Sequence, residues 1–248
     1  MPARRPHTAL IILTLAAVPL VGCTPERAPA VSVTPHAPTA SPSADASPSP
    51  SADEVAAATT ALFDAVARDD HAAIAEAIDA GADLETRDSS GRTPLVIATK
   101  NNSADTAIQL LEAGADPDAK DDIEDSAFLY AGAEGYDRIL EATIRHGADV
   151  TSTNRFGGTA LIPASEHGYA ETVRILLAAG VPVDHVNDLG WTALLEAVLF
   201  GDGSASYVEV VGLLVEAGAD TSIADFQGRT ARDTARDRGH AEIVRAMG

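Results

Sequence analysis

The sequence predicts an all-α repeat solenoid of about six helix-turn-helix units, on three observations. The phrase Ala80-Gly81-Ala82-Asp83 returns as Ala113-Gly114-Ala115-Asp116, His146-Gly147-Ala148-Asp149, an altered Ala179-Gly180-Val181-Pro182 and Ala217-Gly218-Ala219-Asp220, with glycines 33, 33, 33 and 38 residues apart. A second phrase keeps the same step: Thr60-Ala61-Leu62, Thr93-Pro94-Leu95, Ser126-Ala127-Phe128, Thr159-Ala160-Leu161, Thr192-Ala193-Leu194 and Thr230-Ala231-Arg232. Two markers in one register define a repeat. Third, 46% of residues are apolar but only 4% aromatic, so the core is built from Ala, Leu, Val and Ile, which suits thin helices packed close together.

Before the repeats, residues 1–22 carry Arg4 and Arg5 and then an apolar run from Ala9 to Leu20, too short to span a bilayer and built like a secretory signal. The run ends in Leu20-Val21-Gly22-Cys23, which resembles the lipobox of bacterial lipoproteins, and Cys23 is the only cysteine of the chain. That resemblance implies lipidation at Cys23. The protein is then expected to be exported and membrane-anchored, facing the periplasm or the cell exterior, and stable without disulfides. Residues 23–54 are Pro, Ser, Thr and Ala with few large apolar groups and read as a disordered tether.

From residue 55 each unit decodes in the same order. A threonine caps a first short helix. A small-residue turn such as His167-Gly168-Tyr169 leads to a second helix with an apolar stripe, for example Val173, Leu176 and Leu177. Glycine at its end tolerates a left-handed C-cap, and a hairpin such as Asp220–Arg229 reaches the next unit. The units fall at about 55–88, 89–121, 122–154, 155–188, 189–225 and 226–248.

Helix, helix and β-hairpin loop with this period closely resemble the ankyrin family, with its "DxxGxTPLHxA" and "GHxEVVxxLLxxGADVN" wording. The likeness covers residues 55–248. The family's TPLH histidine is replaced throughout, by Phe63, Val96, Leu129, Ile162, Leu195 and Asp233, so apolar packing is expected in place of its hydrogen bonds. The unit at 122–154 carries Glu124 and Ser126 where the family prefers Gly and Thr, and its hairpin is expected to be looser. The stretches around Ile162-Pro163-Ala164 and Gly190-Trp191-Thr192 also resemble a narrower group of bacterial ankyrin proteins.

In this family partners usually meet the face formed by hairpin tips and first helices. Carried over by position, the resemblance places Asp122, Ile123 and Asp125, then Arg155 and Phe156, Asp188, Leu189 and Trp191, and Phe226 and Arg229 on the tips. It places Tyr130, Glu134, Glu166, His167, Glu196 and Phe200 on the helices. The protein-binding set is Tyr130, Arg155, Phe156, Glu166, His167, Leu189, Trp191, Glu196, Phe200, Phe226 and Arg229. Its aromatics are either interface anchors or plugs for gaps between small side chains. Two irregularities adjoin this region: Pro163 inside a first helix, and a five-residue insertion within Asp202–Tyr207.

A formal charge of −20 repels a phosphate backbone, so nucleic acid is not an expected partner. No phosphate loop, nucleophile elbow or zinc-helix histidine pair is present, and neither catalysis nor a cofactor is expected. The expected molecule is a monomeric, lipid-anchored scaffold for another protein. Two alternatives remain: a sensor or sequestering protein for a small cationic ligand or metal, and a hydrolase using Glu166, His167 and Glu196, with His185 nearby.

Overall fold

The computed structural model describes residues 50–248. The leader, Cys23 and nearly all of the tether lie outside them. The described residues form twelve α-helices in six pairs: α1 (Ala52–Ala67) with α2 (His71–Asp79), α3 (Pro94–Lys100) with α4 (Ala104–Glu112), and α5 (Ala127–Glu134) with α6 (Asp137–Arg145). They continue as α7 (Leu161–Glu166) with α8 (Ala170–Ala178), α9 (Ala193–Phe200) with α10 (Ala205–Glu216), and α11 (Ala231–Asp237) with α12 (Ala241–Ala246). Odd-numbered helices stack on one another as one layer and even-numbered helices as the other. None of the described helices is long and apolar enough to cross a membrane.

The Ala-Gly-Ala phrase is a helix stop repeated five times. Gly81, Gly114, Gly147, Gly180 and Gly218 all have φ between +85° and +98°, and only glycine enters that region without steric cost. The following N–H reaches back into the helix, as Ala82 N–H to the Ala77 carbonyl (3.0 Å) and Ala115 N–H to the Leu110 carbonyl (3.0 Å). The residues receiving these bonds, Ala77, Leu110, Thr143, Leu176 and Leu214, are buried. One device therefore ends the helix and fixes the core rung.

The second phrase caps the first helices. The hydroxyls of Thr93, Ser126, Thr192 and Thr230 accept from the N–H groups of Val96, Leu129, Leu195 and Asp233. Two members depart from the rule. Thr60 lies within α1, which starts at Ala52 under a capping box from Ser51 and Glu54, slightly ahead of the expected boundary at 55. Thr159 caps nothing, because Pro163 has no N–H for the Thr159 carbonyl. Ile162 N–H takes that carbonyl instead (3.1 Å), and the buried Thr159 hydroxyl is left without a partner.

Apolar packing does replace the missing histidines: Val96, Leu129, Ile162 and Leu195 are buried. Asp233 instead closes the capping box of the last unit.

Each inter-unit hairpin is closed as a tight turn. Asp88, Asp121, Asn154, Asn187 and Asp225 head the turns, with a carbonyl accepting from the residue three on and a side-chain oxygen accepting from the N–H groups two and four on. The pairing is too short for strands, and Ala224 with Thr230 forms one isolated antiparallel bridge among the described residues. The tip at 121–125 is not looser than the rest. Glu124 takes φ +64°, and its N–H donates to the Asp121 carbonyl at 3.0 Å as in the other tips.

The insertion is a staple between units. It lengthens α10 to twelve residues against nine in α8. It also brings the Tyr207 hydroxyl to the Glu166 carbonyl of the preceding unit (2.8 Å), with the Tyr207 ring over Gly168, while Arg238 of the last unit donates to the Gly201 carbonyl (2.9 Å).

Candidate functional site

The tips at 155–158 and 187–191, together with α5, α7 and α9, enclose an open cavity of about 320 Å³. Eight of the eleven residues expected from the sequence line it: Tyr130, Arg155, Phe156, Glu166, Leu189, Trp191, Glu196 and Phe200. The sequence reading did not assign Asn187, Asn154, Ile162 or Pro163 to the site, and these also line it.

Glu196 is the chemical centre. It lies on α9, one turn after Thr192, and is only 5% exposed. Asn187 donates its side-chain amide to Oε1 at 2.9 Å and is the one hydrogen-bond partner of this carboxyl among the described residues. Burial, reinforced by the Glu166 carboxylate and opposed by the Asn187 hydrogen bond, pushes the Glu196 pKa up to about 7. The Asn187 amide oxygen meanwhile holds the tip by accepting from Leu189 and Trp191 N–H, both at 3.0 Å. One buried amide therefore orients both the tip and the acid. The available signal was positional, since Asn187 occupies the turn-heading place that Asp88, Asp121 and Asp225 fill with carboxylates.

The walls are aromatic. Trp191 is half-buried and meets Phe200 edge-on at 5.8 Å, and Phe156 and Leu189 are 49% and 47% exposed. The one cation in the lining is engaged elsewhere: Arg155 lies over the Phe156 ring at 4.7 Å and 3.7 Å from Asp125. Asp125 is also held by Lys100 at 2.8 Å, and Lys100 sits over Tyr130 at 4.4 Å. Glu134, Glu166 and Glu196 have no ion-pair partner among the described residues.

Three expected residues fall outside the cavity. His167 is the C-cap of α7; its Nδ1 lies 3.0 Å from the Ala133 carbonyl and its ring packs 5.3 Å from Tyr169. Adjacent helical positions point about 100° apart, so Glu166 and His167 do not share a face. Phe226, 77% exposed, lies against Gly190 on the next tip. Arg229 pairs with Asp225 at 3.3 Å.

The Glu166, His167 and Glu196 constellation is thus not assembled, and His185 is turned to the Gly157 carbonyl at 2.6 Å. No group of three or more His, Cys, Asp or Glu among the described residues is placed to hold a metal. Glu166 and Glu196 do meet in the cavity, while His167 and His185 are engaged elsewhere. What the cavity offers is unpaired negative charge between aromatic faces.

This is the architecture of an ankyrin array, and the chain belongs to the ankyrin repeat family: a family model described as ankyrin repeats (3 copies) matches residues 45–121 and 128–225. Among solved structures it is similar to an ankyrin repeat domain from Acinetobacter baumannii AYE, with 52% identity over 75% of this chain and 95% of that one and a TM-score of 0.74. A second ankyrin repeat protein matches at 41% identity over 76% and 96% of the two chains, with a TM-score of 0.73. No curated protein matches. Ankyrin repeats generally serve as protein–protein interaction scaffolds.

Proposed function

We propose that this chain is a non-enzymatic scaffold that captures a protein partner through the face carrying Trp191, Phe156 and Glu196, and that it does so outside the cytoplasm, held to a bacterial membrane by lipid on Cys23. The observation that carries the binding role is the convergence of eight separately expected residues on one cavity, with large apolar side chains exposed at its rim. Exposed aromatic and aliphatic groups beside a concave, partly desolvated pocket have the composition of an interface centre. The export and anchoring rest on the lipobox-like Leu20–Cys23 sequence and the Pro/Ser-rich stretch behind it.

The binding role is tested by capture from envelope extract with the intact chain and with a Phe156→Ala/Leu189→Ala variant, which alters the exposed rim and leaves the half-buried Trp191 in place. Loss of the captured protein with an unchanged melting temperature is expected, and capture of the same protein by both forms contradicts the assignment. The anchor is tested with Cys23→Ser. Incorporation of a labelled fatty acid should vanish and the protein should move to the soluble fraction; a labelled, membrane-bound variant rejects the anchor.

A further inference from the structure

The cavity contains more negative charge than its own residues neutralise. Glu196 is buried, and Asn187 reaches only one of its two carboxylate oxygens. Glu166 faces it from α7, Glu134 lines the same space from α5, and none of the three has an ion-pair partner among the described residues. The one cation of the lining, Arg155, is engaged by Asp125 and Phe156. A buried carboxylate with a free oxygen either keeps a proton, as Glu196 does below about pH 7, or calls for a cation to complete it. The walls suit the same guest, since aromatic faces attract cations and aromatic edges pack the methylene stem of a long basic side chain.

We propose that this cavity receives the ammonium or guanidinium end of a lysine or arginine side chain carried by the partner protein, held between Glu196 and Glu166 and walled by Trp191 and Phe200. This rests on the reading that the face binds a protein. A side chain fits better than a free small amine because apolar surface continues outside the cavity: Ile123, Phe156 and Leu189 hold the same place on successive tips and are 51%, 49% and 47% exposed. A free amine would leave that row in water, whereas a chain delivering the basic group would cover it.

Trp191 is the only tryptophan of the chain, so its emission reports this cavity alone. The probes are heptapeptides with a central lysine, arginine or norleucine flanked by leucines, together with butylamine, titrated at pH 8 into the intact protein. Saturable changes from the lysine and arginine peptides are expected, at least tenfold tighter than from the norleucine peptide or butylamine. Glu196→Gln keeps an oxygen for the Asn187 amide, so it preserves the fold and should erase the preference for charge. Equal binding of the norleucine peptide, or an unchanged preference in Glu196→Gln, overturns the proposal. Butylamine binding as tightly as the lysine peptide also overturns it, by assigning the cavity to a small amine. If Phe156→Ala/Leu189→Ala abolishes partner capture while Glu196→Gln retains it fully, the scaffold role stands and the basic-side-chain assignment falls.

Discussion

At the scale of single residues, Glu196 links stability to function. Its folded pKa of about 7 stands above the ordinary 4.5, so between these values the folded chain holds a proton that the unfolded chain has released. Stability therefore falls as pH rises through that window and is lowest above about 7, by about 1–3 kcal/mol for this one group. Glu196→Gln should flatten the melting profile between pH 5 and 8 and melt about 3–8 °C above the native chain at pH 8. Equal profiles for the two proteins would remove Glu196 as a strained acid. The sequence grouped Glu196 with Phe200 through their i, i+4 spacing on α9, and the structure puts both on the cavity wall. It did not disclose the burial, because that depends on Asn187 closing the tip above it, a contact nine residues away. His167 lies outside the cavity for a related reason: α7 ends at Glu166, and the cap position turns its side chain to the preceding unit.

At the scale of elements, the two repeated phrases are legible because each performs a single backbone task, a left-handed helix stop or a hydroxyl cap. Their exceptions follow from neighbours that the phrases do not contain. Thr159 has the capping sequence, yet Pro163 removes the N–H its carbonyl would accept, so its hydroxyl is buried without a partner. Thr159→Val should accordingly leave stability unchanged or raise it by up to about 1 kcal/mol, while Thr192→Val, which loses the bond from Leu195, should cost about 1 kcal/mol. Paired thermal melts decide this, and equal costs would contradict the account of Pro163. The insertion at Asp202–Tyr207 looked like a local departure in sequence. In space it is a brace, since Tyr207 and Arg238 tie three successive units at one end of α9.

At the scale of the whole array, the twelve helices of the described residues, in two layers, give a one-dimensional stack in which each unit is stabilised by its neighbours. The period was readable over almost the whole array because buried rungs recur with it. The cavity was readable only as a face, since Ala133, Asn154, Gly158, Ile162 and Pro163 also line it and carry no signal for that in the repeat. Pro163 breaks the local helix pattern in the cavity wall, and the insertion ties the adjoining units outside it.

In the proposed function, partners meet the tip and first-helix face. A photo-reactive residue placed at Phe156, 49% exposed beside the cavity, is compared with one at Glu141, exposed on α6 in the other layer. Irradiation in envelope extract should yield a discrete adduct from position 156 that excess unlabelled protein competes away, and none from position 141. Competable adducts from 141 with none from 156 would contradict the account.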